Sequence, residues 1–469
     1  MRRRGLGIAF AVAVFVVLIN GFSDARLVVK YLDYFHNNPN DFPAFYALSD
    51  FSGYYIGAWI VRNGQSANLY DFSKRKIDPV IDEDTDPGSV YSRTTLAHGF
   101  ANVTLYDCPP TLADLMIPFT TLSPLIGLIV WQALNLPMLL GSSLILTRLL
   151  ELKGLGLEIL VVVFLFMFRP TWEALSRGQI TIALLLVVLG GLSFYRRNQM
   201  RLAGLMFAFA AAIKLTPLIV IVPFLAWRDW RILRSLASWG AIIVGALLLV
   251  NGPSTLWQYV FHVVPSMGNK AIVILNLNLI SAVEVFWYGS DGPAPAVGVV
   301  GAGKVLSILV LCYAAWLCRP RSTERMNDSR KVAVLSVFLL LSCCISPVSW
   351  MSAYVLAAPA LVVCYAQALE KRTNSIEAIL ALSLLPSFMT GRFARLATDT
   401  GRPIFYYLQM MTPIIGVALA FVMLLRLRTE GSRKSHEGIR ANRLWRPERM
   451  YVLLSLRASG RCFHAGPVK

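Results

Sequence analysis

The segment LAGLMFAFAAAIKLTPLIVIVPFLAW, residues 202–227, decides the topology because both of its flanks are basic. RRNQMR precedes it and RDWRILR follows it, and clusters of Lys and Arg mark the cytoplasmic ends of membrane helices. A single span would place one of these clusters outside. The Lys-Leu-Thr-Pro break at residues 214–217 divides the segment into halves of about a dozen residues, each rising about 18 Å. We therefore predict a re-entrant helical hairpin over 202–227, with both ends cytoplasmic and Lys214 at its tip.

The rest of the composition is that of a polytopic membrane protein. Of the 469 residues, 56% are hydrophobic and 15% are charged, and the mean hydropathy is +0.59. The apolar blocks reach the roughly 20 residues that a spanning helix needs, which excludes a soluble protein. The net charge of +18 comes from Lys and Arg at the block ends, so it reflects topology rather than nucleic-acid binding. We expect an all-α fold with about ten transmembrane helices plus the hairpin.

Four regions follow from this pattern. Residues 1–22 predict an uncleaved first transmembrane helix that starts in the cytoplasm. Residues 23–110 form a polar outer loop, and residues 111–425 form the multi-span core that contains the hairpin. Within this core we predict a further outside loop from Asn251 to about Pro295. Residues 426–469 form a basic cytoplasmic tail, which either contacts anionic headgroups or is a disordered end.

The outer loop contains Asp50 directly before an aromatic, apolar stretch. Phe51, Tyr54, Tyr55 and Trp59 recur at near-helical spacing, which predicts an amphipathic helix at the outer membrane interface. Asp50 would then stand at the helix N-terminus beside the membrane surface. It is either an N-cap or a general base placed where a lipid-linked substrate arrives.

Lys214 is a second candidate, because a lysine at the tip of a re-entrant hairpin is costly unless it is paired. Thr216 and Pro217 predict an N-cap and first turn for the second half-helix, whose N-terminus would favour an anion at the same place. A lipid phosphate would suit such a site. The alternative is a structural break in which Lys214 pairs with a carboxylate or with carbonyl groups.

Further polar residues stand where apolar blocks meet the outside. Each could simply satisfy backbone groups at a helix end, but together on one face they predict a pocket. They are Arg177 and Gln179 in SRGQIT, Asn276 and Asn278 in NLNLIS, and Ser346, Ser349 and Trp350 in SPVSW. The acidic run at residues 82–86 is either a solvated loop or a metal site, and the former is favoured. We expect no cofactor and no metal.

The order of these features resembles glycosyltransferase family 87 of the GT-C superfamily. DFSGYYIGAWIVRNGQSANLYD (residues 50–71) is similar to the family's first-loop signature, whereas DFPAFY at Asp41 is a copy at the wrong distance from Leu-Tyr-Asp. CPP, WQALN, RGQIT, AGLMFAFAAAIKLTP and SPVSW follow in the family's order. The chain departs from the family pattern at Cys108, at Thr181, and at Ser352 and Ala353, where a histidine is common.

The resemblance implies a GT-C-type membrane enzyme that uses a polyprenyl-phosphate sugar. In such enzymes a loop aspartate deprotonates the acceptor hydroxyl, and the sugar is transferred with inversion without a metal. Asp50 takes that role by position, Tyr54 and Tyr55 would line the sugar site, and Lys214 would stabilise the leaving phosphate.

We therefore expect a mannosyltransferase-like enzyme of the bacterial cell membrane, acting on its outer face. The sugar is expected to be mannose, with arabinofuranose as the next choice, and the acceptor a lipid or glycan. The alternatives are a lipid or solute transporter, which the broken hairpin would also suit, and a catalytically inactive relative.

Overall fold

The computed structural model describes residues 50–71, 88–100, 106–151, 155–267, 276–288, 297–320, 327–369, 375–387 and 404–444. The predicted first span, Asp41, the acidic run and residues 445–469 lie outside these ranges. Regular structure in the described part is helical, in chain order α1 (Asp50–Arg62), α2 (Val90–Ala97), α3 (Pro110–Met116), α4 (Pro124–Leu149), α5 (Leu155–Met167), α6 (Arg169–Ser176), α7 (Thr181–Arg196), α8 (Met200–Ile213), α9 (Ile221–Ala226), α10 (Trp230–Gln258), α11 (Val264–Met267), α12 (Leu279–Tyr288), α13 (Val297–Cys318), α14 (Asp328–Ile345), α15 (Ala358–Leu369), α16 (Ser375–Ser387) and α17 (Ile404–Leu444). Tighter 3₁₀ turns precede or follow several of them, at Ser66–Asn68, Ile117–Thr121, Thr216–Val220 and Met351–Ala357, and Tyr259–Val263 is a π-turn.

The expected all-α membrane fold is present, but a count of about ten spans is not confirmed. Within the described ranges, four helical stretches are long and apolar enough to cross a bilayer: Pro124–Leu149, Trp230–Met267, Gly298–Cys318 and Met410–Thr429. A fifth is added if Glu158–Met167 and Arg169–Ser176, bent by 51°, form one broken span. Other apolar blocks instead form helices of 10–17 residues, because breaks such as Lys214-Leu215 divide them. Helix α14 lies at the centre, and its residues from Val332 to Cys344 are all buried.

Residues 200–227 turn back on themselves. The two ends meet, since the Tyr195 hydroxyl donates a hydrogen bond to Asp229 Oδ2 (2.7 Å) and the Ser235 hydroxyl lies 3.3 Å from the Arg201 carbonyl oxygen. A Cβ atom on Gly204 would lie only 2.2 Å from the Ser235 hydroxyl oxygen, so a glycine is needed where α8 meets α10. Small residues allow this approach of two helices. The turn-back point is Lys214, which has extended backbone angles (φ −154°, ψ 132°).

Helix α1 differs from the amphipathic surface helix that we predicted. Ten of its 13 residues are buried, and they lie on all sides of the helix. Phe51, Tyr54 and Tyr55 are buried, whereas Trp59 is partly exposed. The helix packs against α2, α3, α4 and the turn at Ile117–Thr121. Asp50 is the first residue of this enclosed helix, so it lies inside the protein rather than on its surface.

Two further expectations differ from the structure. The outer loop predicted to begin at Asn251 is helical as far as Met267, with a kink at Gly252 (φ 80°, ψ 161°) just before Pro253. The predicted tail is also helical in its first part, because α17 continues to Leu444. Arg426 there forms a buried ion pair with Glu377 (3.2 Å), which holds this part of the tail against α16.

Candidate active site

A cavity of about 630 Å³ opens beside the N-terminus of α1. Its size falls in the range of roughly 300–1,000 Å³ that small-molecule sites occupy. One part of its wall is polar and the other is apolar. The polar part consists mainly of Asp50, Tyr54, Asp107, Arg177, Gln179, Lys214, Thr216, Ser346 and Trp350. The apolar part includes Leu215, Leu218, Ile219, Val222, Val264, Met267, Leu311 and Ile345.

Asp50 faces this cavity and is held by Gln179. The side-chain amide of Gln179 donates a hydrogen bond to Asp50 Oδ2, and the Tyr54 hydroxyl donates to Gln179 Oε1 (3.1 Å). The backbone N–H of Phe51 bonds to the carbonyl oxygen of Arg177 (3.2 Å). Among the described residues, no N–H of the first turn of α1 donates to the Asp50 carboxylate, so the structure does not show the N-cap alternative.

The turn at Arg177-Gly178-Gln179 brings Gln179 to the N-terminus of α1, where Asp50 lies. Gly178 has φ +65°, a left-handed conformation that glycine adopts without strain. A Cβ atom there would lie 2.7 Å from the Cβ atom of Phe51. The indole N–H of Trp131 donates to the Gly178 carbonyl oxygen (2.9 Å). The glycine therefore lets the turn press against α1, and the tryptophan fixes it there, so that Gln179 reaches Asp50.

The electrostatics of Asp50 are a balance of burial and neighbouring charges. Burial raises the pKa of its carboxyl above the ordinary value, because the charged form loses hydration. The Arg177 guanidinium, the Gln179 amide and the Lys214 ammonium act in the opposite direction. The negative charge of Asp107 raises this pKa further. A raised pKa makes the ionised carboxylate a stronger proton acceptor than an exposed aspartate.

Lys214 lines the cavity from the turn of the hairpin and is half-buried. The described residues offer its ammonium group no ion-pair or hydrogen-bond partner. The expected N-cap is wrong, since Leu215 rather than Thr216 flanks the following turn, and no side chain caps it. Pro217 lies in the first turn as predicted, but this turn belongs to a 3₁₀-helix, Thr216–Val220, that precedes α9.

Arg177 lies in the same wall but is already paired. Its Nε atom donates to Glu173 Oε1 at 2.6 Å, and its guanidinium lies 5.9 Å from the ring centroid of Trp350. A charge balanced by Glu173 has less effect on a ligand than an unbalanced one. Lys214 is therefore the cation of this wall with more charge to offer an anion.

Four of the predicted site residues do not line the cavity. Tyr55 faces away, and its hydroxyl donates to the Leu122 carbonyl oxygen (2.8 Å). Asn276 and Asn278 both donate to the carbonyl oxygen of Pro347, at 3.0 and 2.7 Å. Asn276 Oδ1 also accepts from the backbone N–H of Ser349 at 2.7 Å.

These contacts give NLN and SPVSW a joint structural role. The two asparagines hold the turn at residues 346–350 in place, and that turn brings Ser346 and Trp350 to the cavity. Ser349 itself is fully buried within the turn. The two motifs therefore stabilise the turn that lines the cavity, and Asn276, Asn278 and Ser349 do not face the cavity themselves.

Asp107 and Tyr259 are two of the lining residues that sequence reasoning missed. Asp107 immediately precedes the Cys-Pro-Pro motif, and a carboxylate beside a motif already singled out was the available signal. Tyr259 also lines the cavity, but the interpretation of residues 251–295 as an outer loop concealed it.

Comparison with known proteins agrees with the motifs. The model of glycosyltransferase family 87 matches residues 106–347, just over half of the chain. A polyprenol-phosphate-mannose-dependent alpha-(1-2)-phosphatidylinositol mannoside mannosyltransferase of Mycobacterium tuberculosis is 28% identical over 54% of this chain and 60% of its own length. The protein with the same description from Mycolicibacterium smegmatis is 25% identical over 59% of this chain and 65% of its own length. No solved structure matches significantly. The chain belongs to glycosyltransferase family 87.

Proposed function

We propose that this protein transfers mannose from a polyprenyl-phosphate donor to a hydroxyl group of a lipid or glycan acceptor, with inversion at the anomeric carbon. The observation that carries the proposal is one cavity in which the Asp50 carboxylate, an unbalanced cation at Lys214 and an apolar wall occur together. Such a cavity offers a base for the acceptor hydroxyl, a cation for the leaving phosphate and an apolar wall for the polyprenyl chain.

Asp50 acts as the general base. Its carboxylate accepts the proton of the acceptor hydroxyl while that oxygen forms a bond to the anomeric carbon of the sugar. The bond between the anomeric carbon and the phosphate oxygen breaks at the same time, and its electron pair leaves with the polyprenyl phosphate. Attack from the face opposite the leaving group inverts the configuration. Gln179 orients the carboxylate through its amide N–H.

Lys214 stabilises the leaving phosphate. Phosphate gains negative charge as the glycosidic bond breaks, and an ammonium group in a partly dehydrated wall stabilises that charge more than it would in water. Arg177 adds a weaker contribution because Glu173 already balances it. The base and the anion site are therefore two separate side chains that line one cavity.

The apolar wall suits the lipid of the donor. It is built from the second half of the hairpin (Leu218, Ile219, Val222), the end of α10 and α11 (Val264, Met267) and α13 (Leu311). Because Leu215 and Leu218 follow Lys214 in sequence, a phosphate at the ammonium group would have apolar side chains directly beside it. A polyprenyl chain would pass along these side chains.

The relatives' descriptions favour mannose as the sugar and a lipid-anchored mannoside as the acceptor class. The basic clusters on both sides of the hairpin favour a cytoplasmic position for its ends, which puts the cavity toward the outer face of the cell membrane. Labelling of Gln65→Cys, at an exposed position just after α1, by an impermeant thiol reagent in intact cells tests this orientation. Labelling that requires permeabilised cells would reverse it.

The direct test of the donor uses purified protein, a membrane acceptor fraction and radiolabelled polyprenyl-phosphate sugars. We expect label to move from polyprenyl-phosphate mannose into the acceptor fraction, with little transfer from the arabinofuranose or glucose donors. A nucleotide-linked mannose serves as the control, and it lacks the lipid that the apolar wall would bind. Transfer from the nucleotide sugar, or from none of the lipid donors, would contradict the proposal.

A further inference from the structure

The cavity contains a second carboxylate, Asp107, which the base-and-phosphate mechanism does not use. It lies in the short stretch between the start of the described segment at Tyr106 and the N-terminus of α3, and it is half-buried. It faces the same cavity as Asp50, Arg177 and Lys214.

The chain on both sides of Asp107 is held rigidly. The Tyr106 hydroxyl donates to the Pro109 carbonyl oxygen (2.7 Å), and the Tyr70 hydroxyl donates to the Cys108 carbonyl oxygen (2.6 Å). The ring of Tyr70 packs between the rings of Tyr106 and Tyr259, with centroids 5.8 and 5.7 Å away. A carboxylate anchored in this way is held in one place before a ligand binds, so the ordering cost on binding is small.

The polar wall also has a shortage of acceptors for hydroxyl groups. Gln179 uses its Oε1 atom to accept from Tyr54, and the Ser346 hydroxyl donates to the Val348 carbonyl oxygen. Arg177 and Lys214 are donors only. Among the lining side chains that the structure describes, the carboxylates are Asp50 and Asp107, and a carboxylate has about four lone-pair positions. The Gln179 amide uses one position on Asp50, and the Cys108 thiol donates to Asp107 Oδ1 (3.6 Å).

Charge decides which part of the substrates Asp107 faces. A donor phosphate beside Asp107 would place two negative groups together, whereas the Lys214 ammonium group attracts the phosphate. The hydroxyl-bearing acceptor has no such conflict. A hydrogen bond from a neutral hydroxyl to a carboxylate is stronger than one between neutral groups.

We infer that Asp107 binds the acceptor, accepting a hydrogen bond from a hydroxyl next to the one that Asp50 deprotonates. The two carboxylates would each accept a hydrogen bond from one of two neighbouring sugar hydroxyls. The acceptor is then a glycoside with vicinal hydroxyls rather than a lipid with one isolated hydroxyl. This inference rests on the proposed function.

The test measures initial rates with octyl α-mannoside as acceptor and a polyprenyl-phosphate mannose as donor. Loss of one charge-assisted hydrogen bond in Asp107→Asn should raise the acceptor KM by about tenfold or more, with the donor KM unchanged. Monodeoxy derivatives of the acceptor identify the hydroxyl. The derivative that lacks it should be a poor acceptor for the wild type, yet Asp107→Asn should discriminate little against it.

The pH profile separates charge from structure. Asp107 raises the pKa of Asp50, as burial also does, while Arg177, Gln179 and Lys214 lower it. Removing the charge in Asp107→Asn should therefore shift the acid limb of the rate profile to lower pH. Asp107→Glu keeps the charge but displaces it, so it should raise the acceptor KM and leave the limb nearly in place.

Asp328→Asn is the matched control, because Asp328 is largely exposed on α14 and does not line the cavity. It should change neither KM nor the pH profile. If the wild type transfers mannose but Asp107→Asn is folded and keeps the wild-type acceptor KM, the inference is wrong while the proposed function stands. If the wild type uses no polyprenyl-phosphate mannose, the proposed function fails instead.

Discussion

Replacing Gly178 by alanine adds one methyl group at the point where the Arg177–Gln179 turn meets α1. The new Cβ atom would lie 2.7 Å from Phe51 Cβ, and that atom cannot rotate away because it is attached to the backbone of α1. Either the turn or the helix must move. Since Gln179 is on one and Asp50 is on the other, the contact between them changes in both cases.

Two costs contribute to the loss of stability. An alanine at φ +65° costs about 1–2 kcal/mol relative to glycine. Forcing a methyl group into a filled site costs about 1–3 kcal/mol more. The free energy of unfolding should therefore fall by roughly 2–5 kcal/mol. A displacement of about 1 Å at the base should also lower the transfer rate by about 10²-fold.

Gly64→Ala is the matched control. Gly64 has nearly the same backbone angle, φ +71°, but no atom lies within 4 Å of its added Cβ. Its free energy of unfolding should fall by only about 1–2 kcal/mol, with transfer unaffected. Denaturant titration in detergent and initial transfer rates measure both variants. Equal losses in the two variants, or full activity of Gly178→Ala, would refute the argument.

Three further predictions concern the cavity and its support. Lys214→Ala should reduce kcat/KM for the lipid-phosphate donor by about 10–100-fold, the usual worth of a charge-assisted hydrogen bond, with little effect on the acceptor KM. An equal effect on both substrates would show that Lys214 is not the phosphate site. Asn276→Ala removes three hydrogen bonds of about 1 kcal/mol each, so unfolding should become easier by about 3 kcal/mol, and a loss of activity without a loss of stability would contradict its supporting role. Because burial raises the pKa of Asp50 above its ordinary value of about 4, the transfer rate should begin to fall at a correspondingly higher pH when the solution is acidified. The same shift means that the folded protein holds the Asp50 proton more tightly than the unfolded chain does. The contribution of Asp50 to the free energy of unfolding should therefore decrease as pH rises from the unfolded pKa to the folded pKa. Asp50→Asn should then be at least as stable as the wild type at neutral pH, and a clear loss of stability would contradict this sign.

The residues around Asp50 show what sequence reasoning could find. Asp50, Arg177, Gln179 and Lys214 were predicted from their positions at the ends or breaks of apolar blocks, and the structure brings all four to one cavity. The hairpin followed from the two basic flanks, which no single span could reconcile.

Other features depended on tertiary contacts that no local pattern encodes. Asn276 and Asn278 were expected in the pocket, but they bind the backbone of a turn about 70 residues later, and only the fold reveals that partner. Helix α1 was predicted to be exposed on one face, yet α2, α3 and α4 cover it. The count of about ten spans is not confirmed within the described residues, because an apolar block in the sequence does not show whether its helix is broken.

The central claim is that Asp50 is the general base. The measurement is the initial rate of mannose transfer from polyprenyl-phosphate mannose by purified Asp50→Asn, with Asp41→Asn as the control. Asparagine keeps the shape of the side chain but accepts a proton poorly, so we predict a folded protein whose rate falls by about 10²–10⁴, while Asp41→Asn keeps the wild-type rate. A folded Asp50→Asn protein that transfers mannose at the wild-type rate would contradict the account.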